Sequence, residues 1–509
     1  MTDRKSRLGL AAMALGLTAA VVAAMALFGR GGEPAVGANV LVNPAGLITV
    51  NNSPTVVRHP REPGHLVVAH RIDRPGFSAL LEWSDDGGAT WRPTTLPLPA
   101  GTEPCAASPE QEPCPFGPDV AFGPDGTLYA LYASLQGRGN TPAALWLATS
   151  SDGGRTLDAP VRVAGELAFQ PRLAVDSDGT VHAVWLQAQA VALNQIVGAA
   201  QIVAVRSQDG GRTFSEPVPV SDAGRERVGA ASPVLDSEGS LVVLYQDFKD
   251  NRRDFSGLEG PVAEKPFALV VTRSEDGGAS FGQGVELESG VVPARRFLVF
   301  LPEYPSIAPG PDRSLYVSWA DNRNGDEDVF LRRSPDGGAS WSEPVRVNDN
   351  TAGDGTTQSL PRLSVAPGGR VDVLFHDRRA DPADVQTEVF LASSDDRGAS
   401  FGNHRVSSEP FDSRVGPTFG SDYGTDVGTR LGLTSNDDGA FAVWTDTRLG
   451  DQDTGRQDIF AAAVTVGGSG GPRLGLALLV PGLLLIGAAV LWSQRRPGPA
   501  ARPAAGTRS

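Results

Sequence analysis

The amino-acid sequence predicts an all-β protein, a β-propeller built from four-stranded antiparallel blades. Three observations favour this fold class. An eight-residue box recurs six times, each box is embedded in a longer pattern of short strands, and the repeated region shows no helical period. The composition, with 61 Gly and 40 Pro among 509 residues, favours turns and short strands over long helices.

Each box reads Ser-x-Asp-x-Gly-x-x and ends in Trp, Phe or Leu. We expect it to form the turn between the third and fourth strands of a blade, with the Asp carboxylate accepting backbone N–H groups. In the sixth copy Arg397 stands where the others have their first Gly, so the second Gly is the better candidate for a demanding backbone geometry. The copies are SDDGGATW from Ser84, SSDGGRTL from Ser150, SQDGGRTF from Ser207, SEDGGASF from Ser274, SPDGGASW from Ser334 and SDDRGASF from Ser394.

The number of blades follows from the spacing of the repeats. Four short strands per unit cannot bury both faces of one sheet, and units stacked around an axis bury one another. We prefer seven blades, with six as the alternative. The seventh unit lacks a box and a fourth strand, and we expect the segment NVLVNPAG from Asn39 to supply that strand and close the ring. The units begin near Ser53, Phe116, Phe169, Gly229, Leu301, Ser359 and Gly416.

The two ends of the chain predict a cell-membrane protein. Residues 1–37 hold a basic start and an apolar run, typical of a signal peptide or an uncleaved signal anchor. A Gly/Ser linker at 467–473 leads into a predicted transmembrane helix at 474–492, and the basic, Pro/Ala-rich tail at 493–509 predicts a cytoplasmic end. Residues 38–466 would then form an extracellular domain on a single-pass protein, or a two-pass one if the signal anchor is retained.

Composition also bears on partners and cofactors. The net charge of −15 argues against a nucleic-acid partner. The six His show no zinc-ligand spacing, and DQDTG from Asp451 lacks the rest of a calcium loop, so we predict no metal and no cofactor. Outside the cell, Cys105 and Cys114 are expected to form a disulfide.

The boxes resemble the Asp boxes, or BNR repeats, of the sialidase superfamily of propellers, over residues 38–466. The resemblance implies a site on the face opposite the boxes. Sialidases, which have six blades, use an arginine triad for the substrate carboxylate, an Asp acid/base and a Tyr nucleophile assisted by a Glu. The family's [FY]-R-I-P motif is absent, and its nearest string, HRIDRP from His70, falls on the second strand of unit one.

Two sets of residues fall on that opposite face. One set lines the mouth of the central channel, where each innermost strand begins. It offers a carboxylate-binding group of Arg172, Arg362 and Arg430, with the catalytic candidates Asp119, Tyr304, Glu303 and Tyr423. Alternatively, these Arg side chains cap strand ends and pair with nearby acids.

The other set follows the second strand of four units. It consists of Asp321 and Arg323, Asp377 and Arg379, Asp446 and Arg448, and, with Lys in place of Arg, Asp247 and Lys249. These pairs either brace their hairpins or form a polar rim that contacts glycan or protein.

Together these features predict a membrane-anchored, extracellular, sialidase-like propeller that binds cell-surface glycan or protein through its loop face. The alternative is a glycoside hydrolase, sialidase-like, acting on an acidic terminal sugar. Propellers host many functions, so the fold class does not choose between them.

Overall fold

Seven antiparallel sheets follow one another along the chain, and each is one blade of a β-propeller. The computed structural model describes residues 34–105, 112–137, 140–192, 195–251, 265–292, 303–417 and 427–466, and the predicted signal, linker, transmembrane and tail segments lie outside them. Within the described ranges no helix is long and apolar enough to cross a membrane. The all-β class and the count of seven four-stranded blades are thus confirmed.

Blades one to three each use four consecutive strands, with the first strand innermost. Blade one contains β3 (Val50–Arg58), β4 (Leu66–Arg74), β5 (Ser78–Ser84) and β6 (Arg92–Thr95). Blade two contains β7 (Cys114–Phe122), β8 (Leu128–Gln136), β9 (Thr141–Ser150) and β10 (Val161–Ala164). Blade three contains β11 (Ala168–Val175), β12 (Val181–Ala192), β13 (Gln195–Ser207) and β14 (Val218–Pro219).

Blades four to six repeat the same order. Blade four contains β15 (Val228–Leu235), β16 (Leu241–Asp247), β17 (Phe267–Ser274) and β18 (Val285–Val291). Blade five contains β19 (Ser306–Pro309), β20 (Leu315–Asp321), β21 (Asp328–Ser334) and β22 (Val345–Arg346). Blade six contains β23 (Gln358–Val365), β24 (Val371–Asp377), β25 (Gln386–Ser394) and β26 (Gly402–Arg405), and β27 (Phe411–Asp412) also pairs with β25.

Blade seven is closed by the N-terminal segment, as predicted. Its own strands are β28 (Gly432–Asn436), β29 (Gly439–Asp446) and β30 (Asp458–Thr465), and β28 begins well after the predicted start near Gly416. The short strands β1 (Ala35–Val36) and β2 (Val40–Leu41) both pair antiparallel with β30. This pairing covers the edge that β30 would otherwise leave open.

The hydrophobic core lies between neighbouring blades. Second strands are buried along nearly their whole length, as expected for a sheet covered on both faces. Trp185, Trp319 and Trp444 occupy equivalent positions on the second strands of blades three, five and seven, and each is at most 2% exposed. Each indole N–H donates to the side chain two residues later, which satisfies a polar group that burial would otherwise leave unpaired.

All six boxes form turns between third and fourth strands. In the first box, the Ser84 hydroxyl accepts the N–H of Gly88 at 2.9 Å and donates to Asp86 at 2.8 Å. Asp86 accepts the N–H of Thr90 at 2.9 Å, and the hydrogen bonds from the Thr90 side chain and backbone lower the Asp86 pKa to about 2. The box is therefore a turn anchored by one hydroxyl and one carboxylate.

The two Gly positions of the box differ in backbone angle. Arg397 adopts a φ of 63° where the other boxes have their first Gly, and a non-glycine residue tolerates that conformation. The second Gly has a φ between 81° and 98° in the six boxes, further from the left-handed helical value. At Gly88 an added Cβ would also collide with the Phe441 ring of blade seven, whereas at Gly338 it would meet only ordinary contacts at 3.6 Å. The backbone angle, which all six boxes share, therefore explains the second Gly better than packing does.

Candidate functional site

A β-bulge interrupts the innermost strand at equivalent positions in blades one, two, three, four and six. Pairing with the second strand shifts register there, and one residue of each bulge has a φ between 52° and 59°. Bulges re-aim the side chains beside them, and left-handed backbone in non-glycine residues is retained where surrounding structure or function requires it. The five positive-φ residues are Ser53, Gly117, Gln170, Ala230 and Leu360.

The residues that sequence reasoning aligned at the channel mouth follow these bulges. Asp119, Arg172 and Arg362 each stand two positions after the positive-φ residue of their strand. In blade seven, Arg430 stands two positions after Gly428, whose φ is 97°. Three distant parts of the chain thus present charged side chains through the same bulge geometry, and a fourth presents Arg430 just before its strand begins.

Two of these arginines line a cavity of about 50 Å³, together with Tyr304 of the segment that precedes β19. Arg172 and Arg430 are each 8% exposed. Apolar side chains from blades two and three, among them Leu135 and Phe169, line the same cavity. The described lining residues include neither Asp119 nor Arg362, which sit beside the cavity rather than in its wall.

Arg172 is held by an aromatic ring. Its guanidinium carbon lies 3.7 Å from the centre of the Tyr304 ring, a cation–π contact at short range. Its Nη1 also donates to the carbonyl of Pro171 at 3.2 Å. Burial raises the pKa of the Tyr304 phenol, and the nearby guanidiniums of Arg172 and Arg430 only partly oppose that shift. Tyr304 therefore remains a neutral phenol at physiological pH.

Arg430 bridges blades at the cavity wall. Its Nε donates to the carbonyl of Ser53 at 3.1 Å, and its Nη2 donates to the carbonyl of Pro118. Its Nη1 lies 3.8 Å from Asp119 Oδ1. Burial, followed by repulsion from Arg172, lowers the Arg430 pKa, and Asp119 opposes this shift. These contacts orient the guanidinium without fully compensating its charge.

The remaining two charged residues, Asp119 and Arg362, differ in how they are held. Asp119 Oδ2 accepts the backbone N–H of Leu173 at 3.0 Å, which ties blade two to blade three. Arg362 has a buried Nε with no hydrogen-bond partner among the described residues. Burial lowers the Arg362 pKa, with Asp119 raising it and Arg172 lowering it further. The cluster around Arg430 thus holds three guanidiniums and a single carboxylate among the described residues that interact with it.

A third arginine of the cavity lining was not predicted from sequence. Arg71, in the string HRIDRP, lies on the second strand of blade one and lines the cavity. It pairs with Asp73 through two contacts of 2.8 and 2.9 Å, so its charge is compensated. Arg71 does not belong to an innermost strand, so only the string itself, already similar to the family motif, points to this residue.

Two further catalytic candidates are Glu303 and Tyr423. The carbonyl of Glu303, next to Tyr304, accepts Gln246 Nε2 at 3.4 Å. Tyr423 lies outside the described residues.

The three Asp–Arg pairs close their own hairpins instead of gathering at one place. Asp321, Asp377 and Asp446 are fully buried. Each accepts the backbone N–H of the residue two positions later at 2.8 to 3.1 Å, and each also accepts that residue's guanidinium. The arginines of these pairs are Arg323, Arg379 and Arg448.

The same three arginines also connect neighbouring parts of the ring. Their guanidiniums stack over Phe330, Phe390 and Phe460 at 4.4 to 4.6 Å from the ring centres. Each then reaches the outer strand of the preceding blade or the segment that follows it, at Glu288, Asp349 and Ser408 respectively. These contacts are those of a structural brace, with the carboxylates buried and already bonded.

Two further observations concern a disulfide and metal binding. Cys105 and Cys114 form a disulfide with Cα atoms 5.8 Å apart, and it packs against Leu135 of the cavity wall. Among the described residues, no group of three or more His, Cys, Asp or Glu is arranged to hold a metal ion.

Comparison with known proteins leaves the family open. No protein-family model matches the chain, and no curated protein matches it. Among solved structures, a protein of unknown function from Dyadobacter fermentans is 14% identical, with a TM-score of 0.46, covering 86% of this chain and all of its own. A Hadza microbial sialidase is 15% identical, with a TM-score of 0.43, covering 78% of this chain and 73% of its own.

A polysaccharide lyase, an ulvan lyase of family PL25, is 11% identical, with a TM-score of 0.47, covering 83% of this chain and 96% of its own. At such identities, and with TM-scores below 0.5, these similarities say nothing about what the present chain binds or catalyses. The chain is a seven-bladed propeller.

Proposed function

We propose that the propeller binds an anionic ligand, a carboxylate carried by a cell-surface glycan, at the cavity lined by Arg172 and Arg430. The observation that carries this proposal is that, among the described residues around Arg430, buried guanidiniums outnumber carboxylates, in a chain whose net charge is −15. Burying uncompensated guanidiniums costs free energy, and an anion bound between them offsets that cost. A carboxylate suits the site because guanidiniums recognise it through charge-assisted hydrogen bonds.

The same proposal places the propeller among Asp-box, sialidase-like proteins of the cell surface. It is supported by the six box turns, each built from a Ser hydroxyl and an Asp carboxylate, and by the predicted signal and transmembrane segments. An acidic side chain of a surface protein could present the same carboxylate, and a binding screen that includes acidic peptides distinguishes the two kinds of partner.

Glycoside hydrolysis of an acidic terminal sugar is the second candidate, favoured by the position of Tyr304 beside Arg172. A tyrosine nucleophile requires activation, normally by a neighbouring base that lowers the cost of losing its proton. Here burial raises the pKa of Tyr304, and the adjacent cations do not reverse the shift. The raised pKa of Tyr304 therefore favours binding over nucleophilic chemistry at this site.

One preparation of purified full-length protein is enough to distinguish the two candidate functions. A glycan array with matched acidic and neutral members should show binding of the acidic members, and Arg172→Ala should abolish it. Wild-type protein incubated with a fluorogenic sialoside should release no more fluorophore than the Tyr304→Phe variant releases. Equal binding of neutral and acidic glycans would refute the anion site, and release that depends on the Tyr304 hydroxyl would establish the hydrolase.

A further inference from the structure

We propose, building on the carboxylate site above, that the cavity admits only a short carboxyl-terminated arm of the ligand. The arm would consist of the carboxylate and the one or two carbons next to it, as in a carboxyethyl substituent on a sugar. The body of the glycan would remain outside the cavity. This assigns a chemical class to the ligand, and it differs from recognition of a whole acidic sugar ring.

The size of the cavity limits what enters it. Its volume is about 50 Å³, and one water molecule needs roughly 10–15 Å³ on this measure. The cavity therefore holds about three to five groups of the size of a water molecule. A carboxylate takes up most of that space and leaves room for one or two carbons. A pyranose ring with its substituents exceeds it severalfold.

The walls of the cavity combine cationic and apolar side chains. Arg172 and Arg430 supply cationic groups, beside Arg71, whose charge Asp73 compensates. The apolar part of the lining comes from Ala133 and Leu135, on the same face of β8, and from Phe169 of β11. All three of these side chains are only 3% exposed. A hydroxyl-rich sugar ring would lose hydrogen bonds to water against such a wall, whereas a methyl or methylene group gains from the contact.

The apolar part of the lining is also held in shape. The Cys105–Cys114 disulfide packs against Leu135 in a small cluster that includes Phe116, a further lining residue. In β11, the left-handed backbone at Gln170 fixes the turn between Phe169 and Arg172. The side-chain amide of Gln170 accepts the N–H of Ala230 at 2.7 Å, which anchors this bulge to blade four. The slot is thus built from braced elements, which favours selection by size.

Calorimetric titration of the full-length protein with simple carboxylates tests the proposal. We expect affinity to rise from formate to acetate to propionate by roughly fourfold for each added carbon that is buried. It should fall again at pentanoate, which is too long. A sugar that carries a carboxyethyl ether should bind at least about tenfold more tightly than glucuronate, whose carboxylate is attached directly to the ring.

Two variants of the cavity lining and one control variant test whether the cavity selects ligands by size. Ala133→Leu should fill the slot and remove the preference for propionate over formate while formate still binds. Leu135→Ala should enlarge the slot and move the optimum to a longer acid, an outcome that a misfolded variant would not give. The control Ala383→Leu changes an exposed residue of blade six and should leave all affinities unchanged.

The outcomes separate this inference from the proposed function. If no carboxylate binds the wild-type protein, the proposed anion site itself is wrong. If carboxylates bind but glucuronate equals the carboxyethyl sugar, or neither slot variant changes the chain-length preference, only the short-arm inference is overturned. Loss of all carboxylate binding in Arg172→Ala, with the chain-length optimum at propionate in the wild type, supports both.

Discussion

The guanidinium carbon of Arg172 lies over the ring of Tyr304, 3.7 Å from its centre, at the mouth of the propeller. A partly buried cation–π contact of this kind contributes about 0.5–2 kcal/mol. We expect Tyr304→Ala to weaken carboxylate binding by roughly 2- to 30-fold, because Arg172 loses the surface that orients it. Tyr304→Phe keeps the ring and should bind normally in the same titration. Loss of binding in Tyr304→Phe would instead assign the function to the hydroxyl.

The packing of the boxes predicts a difference between two adjacent glycines. Gly87 and Gly88 both have a positive φ, at 72° and 93°, but only at Gly88 would a Cβ meet the Phe441 ring. Gly87→Ala should cost about 1–2 kcal/mol for left-handed backbone alone. Gly88→Ala should cost about 2–5 kcal/mol, because overpacking is added. Denaturant unfolding of both variants measures this, and equal losses would show that the collision is relieved without strain.

Ring closure depends on a residue that lies outside every repeat. Asn43 donates to Asp458 at 2.9 Å and accepts the N–H of Ile459 at 2.6 Å, which fastens the N-terminal segment to β30. Asn43→Ala should therefore cost about 1–3 kcal/mol, and deletion of residues 38–46 should cost more. The matched control is Ile48→Ser, since Ile48 is 64% exposed. Unfolding of the deletion variant at the wild-type temperature would contradict closure by this segment.

Substitutions in the Asp–Arg braces should change the stability of the protein and leave its carboxylate affinity unchanged. Arg379 pairs with Asp377, stacks over Phe390 and contacts Asp349 of the preceding blade. Arg379→Ala should lower the melting temperature, because the buried Asp377 carboxylate loses its charged partner. Carboxylate affinity, measured well below melting, should not change. A loss of affinity with unchanged stability would restore these pairs as a ligand-contacting rim.

The box carboxylates predict a loss of stability in acid. Hydrogen bonds from Thr90 hold the Asp86 pKa at about 2, and Asp152 also titrates at about 2 because the bonds from Thr156 and Ser150 outweigh its burial. In the unfolded chain both would titrate near 3.9. Between about pH 4 and pH 2 the unfolded state therefore binds more protons, so stability is present above this window and is lost as the pH falls through it.

Melting temperatures measured from pH 7 to pH 2 check this prediction. The wild-type protein should show a steep decline below about pH 4. A variant with both Asp86→Asn and Asp152→Asn should start from a lower melting temperature and decline less steeply, because two of the titrating groups are gone. Parallel curves for the two proteins would mean that these carboxylates do not contribute to acid sensitivity.

The architecture could be predicted from sequence because its signals are short-range and repeated. A Ser, an Asp and a Gly within five residues determine each box turn, and turn chemistry of this kind does not depend on distant contacts. The same holds for the missing fourth strand of the last unit, whose partner at Asn39 resembles other outer strands. Seven blades and the closing segment followed from these patterns.

The site was only partly predictable, because its shape depends on how seven sheets meet. The sequence by itself determined the blades, the box turns, the closing strand and the equivalent positions of Asp119, Arg172 and Arg362, with Arg430 close to them. Only the tertiary structure decided that Arg172 and Arg430 line a cavity with Arg71, that Arg362 is not among the described lining residues, and that apolar side chains share the lining. The angle between blades and the direction of each bulge set these distances, and both arise from packing summed around the whole ring, which no local pattern encodes.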